Sequence, residues 1–250
     1  MGARQVPEAS GAGLWGTDST PDPMRTVALL LLVFASGATA QTPPPDVLPD
    51  SVRQRLQVEL RQMKLADQRV RYMHAYGTFS PCTADSLRQV LSALPIRENI
   101  ERSQALRAEA EARTSPEEKA VLLQMMTDTD AIHLARLREI IADHGWPSDE
   151  RTGADADPVV FLLHAPHKMD EMREELLVEV RAGRLPAREF AMAMDKARKV
   201  RGENQLYGTG DEYDPETKTV QPPVVDSIEA TNAARRAIGM PPLTEYRTAE

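Results

Sequence analysis

SPEEKAVLLQMMTDTDAIHLARLREIIADHGWP, residues 115–147, is the stretch that decides the fold class. Ser115 is placed to cap a helix, Pro116 fits the first helical position, and Glu118 completes a capping box. Apolar residues follow at Leu122, Met125, Ile132, Leu137 and Ile141, a helical pattern that runs to His144. Gly145 then supplies the left-handed stop, and Pro147 prevents continuation. A long helix with both ends written in the sequence makes this a mainly α chain.

The same periodicity extends outward in both directions. Towards the N-terminus, Val52, Leu56, Leu60, Met63, Val70 and Met73 mark an amphipathic helix, broken at Gly77 to Pro81. A short helix over Asp85 to Leu94 and a weakly apolar, solvated one over Ile96 to Arg113 complete that half. Towards the C-terminus, Val159 to Leu163 reads as a short buried helix. Met169, Met172, Leu176 and Val180 line one face of the next helix, which ends near Gly183. Pro186 opens another, with Phe190, Ala193, Met194 and Ala197 inside and Gly202 at its close. Asp226-Ser227-Ile228-Glu229 reads as a second capping box, for a last helix ending at Gly239. Between Gln205 and Val225 the turn-rich sequence predicts a small β-hairpin or ordered loop. The expectation is a single helical domain over residues 51–250, with about six to eight helices.

Composition agrees. Of 250 residues, 41% are hydrophobic and only 4% aromatic, which suits helices better than a sandwich or barrel. The 38 acidic residues outnumber the 30 basic ones, for a net charge of −8. No basic stripe is present to attract phosphate, so nucleic acid is not an expected partner.

The start of the chain reads as a targeting segment. From Met24, Arg25 gives a basic flank, Val27 to Ala35 an apolar run, and Ala38-Thr39-Ala40 a small-x-small cleavage site. That run is shorter than the roughly 20 residues that span a bilayer, so cleavage after Ala40 is expected rather than a retained transmembrane anchor. Residues 1–23 read as a disordered leader or a misplaced start, with translation beginning at Met24. Residues 41–50, QTPPPDVLPD, read as a Pro-rich tether. Cleavage changes the net charge only from −8 to −7, through loss of Arg4, Arg25, Glu8, Asp18 and Asp22. Cys82 is the sole cysteine, so no intrachain disulfide is possible. The expected setting is periplasmic or secreted.

Five short pieces recur in a recognisable order. They are Gly145-Trp146-Pro147, then Leu162-Leu163-His164-Ala165, then Asp195-Lys196, then Gln205-Leu206-Tyr207-Gly208-Thr209. Arg235-Arg236 with Gly239, Pro242, Leu243, Glu245 and Tyr246 closes the series. Over roughly residues 115–247 the chain resembles a bacterial domain-of-unknown-function family whose pattern runs GWP, QHA, DR, GxxQxYGTQ and RRxxGxxPLxEY. It departs from that pattern at Leu163 and Gly210, where the pattern has Gln, and at Lys196, where it has Arg. His133 stands where an Asn usually follows an acidic residue by three. The resemblance implies a shared fold and an exported setting, and no reaction.

His164 closes an apolar run and is the leading candidate for function. Its functional reading is a general base or ligand in a cleft shared with Asp195, Gln205, Tyr207 and Thr209. Its structural reading is a buried histidine with both ring nitrogens bonded, fixing the hairpin to the helices. His164, His167 and Asp170 invite a weaker metal reading, although Pro166 interrupts the shared helical face. Asp195 is expected to pair with Arg198 or Lys199 on its own helix, and Arg235 and Arg236 to oppose a helix dipole. Trp146 reads as a hydrophobic clasp beyond the helix end. No nucleophile elbow, phosphate loop, dinucleotide fingerprint or zinc-protease motif is present, and no cofactor is expected. The leading expectation is a non-catalytic domain that binds a protein partner or small ligand. The alternative is a hydrolase with His164 as base and Tyr207 and Gln205 orienting substrate.

Overall fold

A computed structural model of the chain describes residues 47–214 and 219–248. The leader expected at 1–23, the signal peptide expected at 24–40 and residues 41–46 of the expected tether lie outside the described residues. Four helices come first: α1 (Asp50–Ala75), α2 (Pro81–Ser92), α3 (Ile96–Arg113) and α4 (Pro116–His144). After them come α5 (Asp149–Thr152), α6 (Val159–His164), a 3₁₀ turn at Pro166–Lys168, α7 (Met169–Arg181) and α8 (Ala187–Val200). Strands β1 (Glu212–Asp214) and β2 (Thr219–Gln221) form an antiparallel hairpin. β3 (Val224–Val225) pairs in parallel with β4 (Arg247–Thr248), with α9 (Ile228–Ala237) between them.

The fold is thus a single helical domain with a small hairpin near its C-terminal end, as the periodicity predicts. Among the described residues there are nine α-helices, of which α5 is one turn that no apolar pattern marks. No described helix is long and apolar enough to cross a membrane. The tether's end is not free: Leu48 is buried in the core.

Local chemistry sets the helix ends. Ser115 Oγ accepts from the Glu118 N–H at 3.2 Å and Glu118 returns the bond to the Ser115 N–H at 2.9 Å, the reciprocal box read from sequence. The second box is corrected. Ser227, not Asp226, is the N-cap of α9, and its Oγ accepts from Ala230, so Glu229 falls one position short of the reciprocal bond.

α1 packs on α2 and α4, α6 lies against α4 and α8, and α7 packs on α8. Their shared core holds Leu56, Leu60, Leu137, Ile140, Trp146, Phe161, Leu162, Met172 and Phe190. On α4 Leu122, Leu137 and Ile141 are buried as expected, but the rest of the inner face differs. Ile132 is 67% exposed and Met125 faces outward, whereas His133, Leu134, Leu137 and Ile140 are buried. Stepping back from Leu137 by three and four residues reaches Leu134 and His133, so the stripe that meets α1 and α6 carries a histidine, and Ile132 lies beside it.

One carboxyl reports on packing through pH. Burial, with Asp157, Glu150 and Asp149 adding like charge, pushes Glu189 at the start of α8 up to about 7 from its ordinary 4.5. The folded chain then holds this proton more tightly than the unfolded chain. The associated stability is fully present below pH 4.5 and is lost as pH rises through about 7. Glu189→Gln is expected to leave stability at pH 4 unchanged and to raise it at pH 8 by about 1–2 kcal/mol, discounted for partial solvent screening. Urea unfolding at the two pH values checks this, and equal shifts at both would contradict it.

Candidate functional site

Asp195 sits on the inner face of α8, 3% exposed, with the Gln205–Gly210 loop wrapped around its carboxylate. Oδ1 accepts the N–H of Leu206 at 2.8 Å and of Tyr207 at 2.9 Å. Oδ2 accepts the Thr209 N–H at 3.0 Å and its hydroxyl at 2.8 Å. The expected pairing with Arg198 or Lys199 is therefore corrected. Arg198 bonds Asn204 and Asp226, and Lys199 reaches Glu212.

The rest of the loop is closed on itself. Gln205 donates its amide to the Gly210 carbonyl and accepts the Gly210 N–H at 2.9 Å. Tyr207 is buried edge-on against Phe190, and burial pushes its phenol up. Gly208 has φ +62°, a left-handed conformation that favours glycine, and a Cβ there would have to displace the end of the Leu243 side chain. Arg235 donates to the Tyr207 carbonyl and to Pro241, both at 2.6 Å, and so latches the C-terminal segment to the loop as well as ending α9.

A groove of about 180 Å³ opens beside this clamp. Leu163 and Met192 give it apolar surface, Lys196 and Lys199 line it, and Gln205, Thr209, Gly210 and Asp211 form the loop side. Lys196 has no hydrogen-bond or ion-pair partner among the described residues. Three of the positions that depart from the resembled pattern, Leu163, Lys196 and Gly210, meet in this one groove.

His164 belongs to a different cluster. Its Nδ1 lies 2.8 Å from Oδ1 of Asp67 on α1, which is wholly buried. Arg71 donates to Asp67 at 3.1 Å and also bonds Asp130 on α4, while Gln68 donates to the second Asp67 oxygen at 2.9 Å. Burial raises the Asp67 pKa, but the His164 hydrogen bond and the His164 and Arg71 charges outweigh it, and the carboxyl stays below its usual range. Among the described residues Asp130 is bonded only by Arg71, and burial lifts its carboxyl above that range. Burial likewise lowers His133, whose ring meets Phe161 edge-on at 5.3 Å between centroids.

Of the five predicted binding residues, the structure joins Asp195, Gln205, Tyr207 and Thr209, and leaves His164 apart. His164 fixes α6 to α1, not the hairpin to the helices. The His164–His167–Asp170 set does not assemble: Pro166 starts a separate 3₁₀ turn, and Asp170 pairs with Arg201 at 3.2 Å. Asp67, Arg71 and Asp130 were not anticipated. A sign of the first is its place in α1: Asp67 follows Leu56, Leu60 and Met63 on the apolar stripe, a carboxylate where a leucine is expected.

A family of unknown function, DUF6624, matches residues 85–249. The chain belongs to this family. The DUF6624 match takes in the groove, the Asp195 clamp, Asp130 and His164, and leaves α1 outside, so Asp67 and Arg71 come from a helix that the match does not reach. No curated protein and no solved structure matches the chain.

Proposed function

We propose that this DUF6624 protein is an exported, non-catalytic binding domain that takes the anionic end of a small ligand in the groove beside α8. The observation that carries this reading is the unpartnered Lys196 ammonium above apolar surface from Leu163 and Met192. Asp195 directs its charge into four donors of the loop and Lys199 reaches Glu212, so Lys196 is the lysine left to face a ligand. At about 180 Å³ the groove is smaller than the roughly 300–1,000 Å³ of most small-molecule sites, and it suits one end of a ligand with an apolar stem.

Calorimetric titration with hexanoate, octanoate and hexyl phosphate tests this. Saturable binding is expected, and Lys196→Ala is expected to weaken it about tenfold, the loss of one charge-assisted bond, without moving the melting temperature. No saturation at millimolar ligand would overturn it. N-terminal sequencing of the protein from a fractionated cell tests the exported setting, with Gln41 expected as the first residue.

One contact favours a second reading. With Nδ1 held by Asp67, His164 has its tautomer fixed and Nε2 left for proton transfer, which supports a hydrolase using His164 as general base. In that reading Gln205 and Tyr207 have no part, because one is closed on Gly210 and the other is buried against Phe190. Loss of a measured esterase or phosphatase activity in His164→Ala, with the fold intact, is the result that reading requires.

A further inference from the structure

Asp67, Asp130 and His164 come from three separate helices, and each offers one donor atom within 4.8 Å of the other two. Donors bonded to a zinc-class ion at about 2.0–2.2 Å lie at most about 4.4 Å apart, so a small side-chain rotation closes the set. The 2.8 Å between His164 Nδ1 and Asp67 Oδ1 is a hydrogen-bond distance, and an ion between them would part the two atoms to the roughly 3.3 Å of neighbouring tetrahedral ligands.

The surroundings fit an ion in two ways. Besides His164, the partners of Asp67 are Gln68 and Arg71, and Arg71 also grips Asp130, so both carboxylates are held in place by hydrogen bonds as metal ligands commonly are. Arg71 is a single guanidinium for one buried and one partly buried carboxylate, and the second oxygen of Asp130 has no donor among the described residues. Independently, His133 stands one turn along α4 from Asp130, only 7% exposed, and its Nδ1 is buried without a partner. Its ring lies close enough to feel the charges of Asp67, Arg71 and His164. That nitrogen is a buried polar atom near the cluster for which the described residues supply no partner.

We propose that Asp67, Asp130 and His164 form a binding site for a divalent transition metal of the zinc class, with a fourth position left to water. The mixed imidazole and carboxylate set selects zinc, nickel or copper over calcium and magnesium, which take all-oxygen sites. This places the metal away from His167 and Asp170, and nothing in it depends on the groove at Lys196.

The test is calorimetric titration of the EDTA-stripped full chain, prepared without a histidine tag, with zinc chloride. One ion per chain is expected. Asp130→Asn and His164→Gln are each expected to weaken binding at least about 100-fold, while His167→Ala and Lys196→Ala leave it unchanged. The proposal is overturned if zinc does not saturate, if both ligand variants bind as the parent does, or if His167→Ala removes binding. Circular dichroism establishes that each variant is folded. If His164→Gln does not fold, Asp130→Asn and zinc-induced shifts of the His164 ring protons in the parent protein decide the matter, and unmoved protons count against it.

Discussion

Glu179→Ala is expected to cost about 3–5 kcal/mol of folding stability, the range for breaking a buried ion pair from one side. Glu179 and Arg184 are 3% and 7% exposed and face each other across the end of α7. Oε2 of the glutamate accepts from Arg184 Nε and from the Trp146 N–H, both at 2.7 Å, and Oε1 accepts from the second guanidinium nitrogen at 2.9 Å. Removing the carboxylate leaves the Trp146 N–H without its acceptor and the guanidinium without its carboxylate, in a region closed to water. Glu179→Gln keeps the shape and one acceptor, and is expected to cost less, about 2–3 kcal/mol.

The pH dependence supplies a second reading of the same pair. Burial works to raise the Glu179 pKa, but Arg184 and the Trp146 N–H prevail and hold it below the usual range. A depressed folded pKa gives stability that is present above the unfolded value of 4.5 and is lost as pH falls through the folded one. Urea unfolding curves of parent and Glu179→Ala are therefore expected to differ most near pH 7 and to converge in acid. A difference below about 1 kcal/mol at pH 7 would mean that water reaches the pair.

This pair also explains the Gly-Trp-Pro segment. Gly145 has φ +76°, and a Cβ there would sit 2.6 Å from Arg184 Nε. Sequence reading finds the helix stop, because a positive φ and a following proline are local chemistry. It does not find the ion pair, because Glu179 and Arg184 approach Gly145 only after α7 has packed. The same division runs through the whole chain. Caps, breaks and apolar stripes are local, and the helices, the domain and the hairpin follow from them. Ile132 shows the limit: its spacing is helical, yet only the partners of α4 decide which stripe is buried, and they choose His133.

The candidate sites divide in the same way. That Asp195, Gln205, Tyr207 and Thr209 belong together was legible, since they fall within fifteen residues at the end of one helix and the start of its loop. What they do together was not, because four donors converging on one carboxylate is a property of the folded loop. His164 was legible as a polar end to an apolar run. Its partner is 97 residues away, and no local spacing connects them.

Asp195 carries the other large expected effect. Alanine in its place leaves the N–H groups of Leu206, Tyr207 and Thr209 and the Thr209 hydroxyl without their acceptor. About 3–5 kcal/mol of stability is expected to go, since bonds to a charged acceptor contribute roughly 1.5–3 kcal/mol each and water recovers some of the loss. Asparagine separates the contributions. With its oxygen at the Oδ1 position it still accepts from Leu206 and Tyr207, and the Thr209 hydroxyl can turn to accept from the new amide. The Thr209 N–H then faces another donor. Asp195→Asn is accordingly expected to cost about 1.5–3 kcal/mol and to speed amide hydrogen exchange at Thr209 more than at Leu206 or Tyr207. Equal acceleration at all three amides would mean that the loop opens as one unit, and that Asp195 does not hold its two halves separately. An unchanged exchange rate at Thr209 would remove the clamp as the source of the loop's order, and with it the rigid wall that the groove beside Lys196 requires.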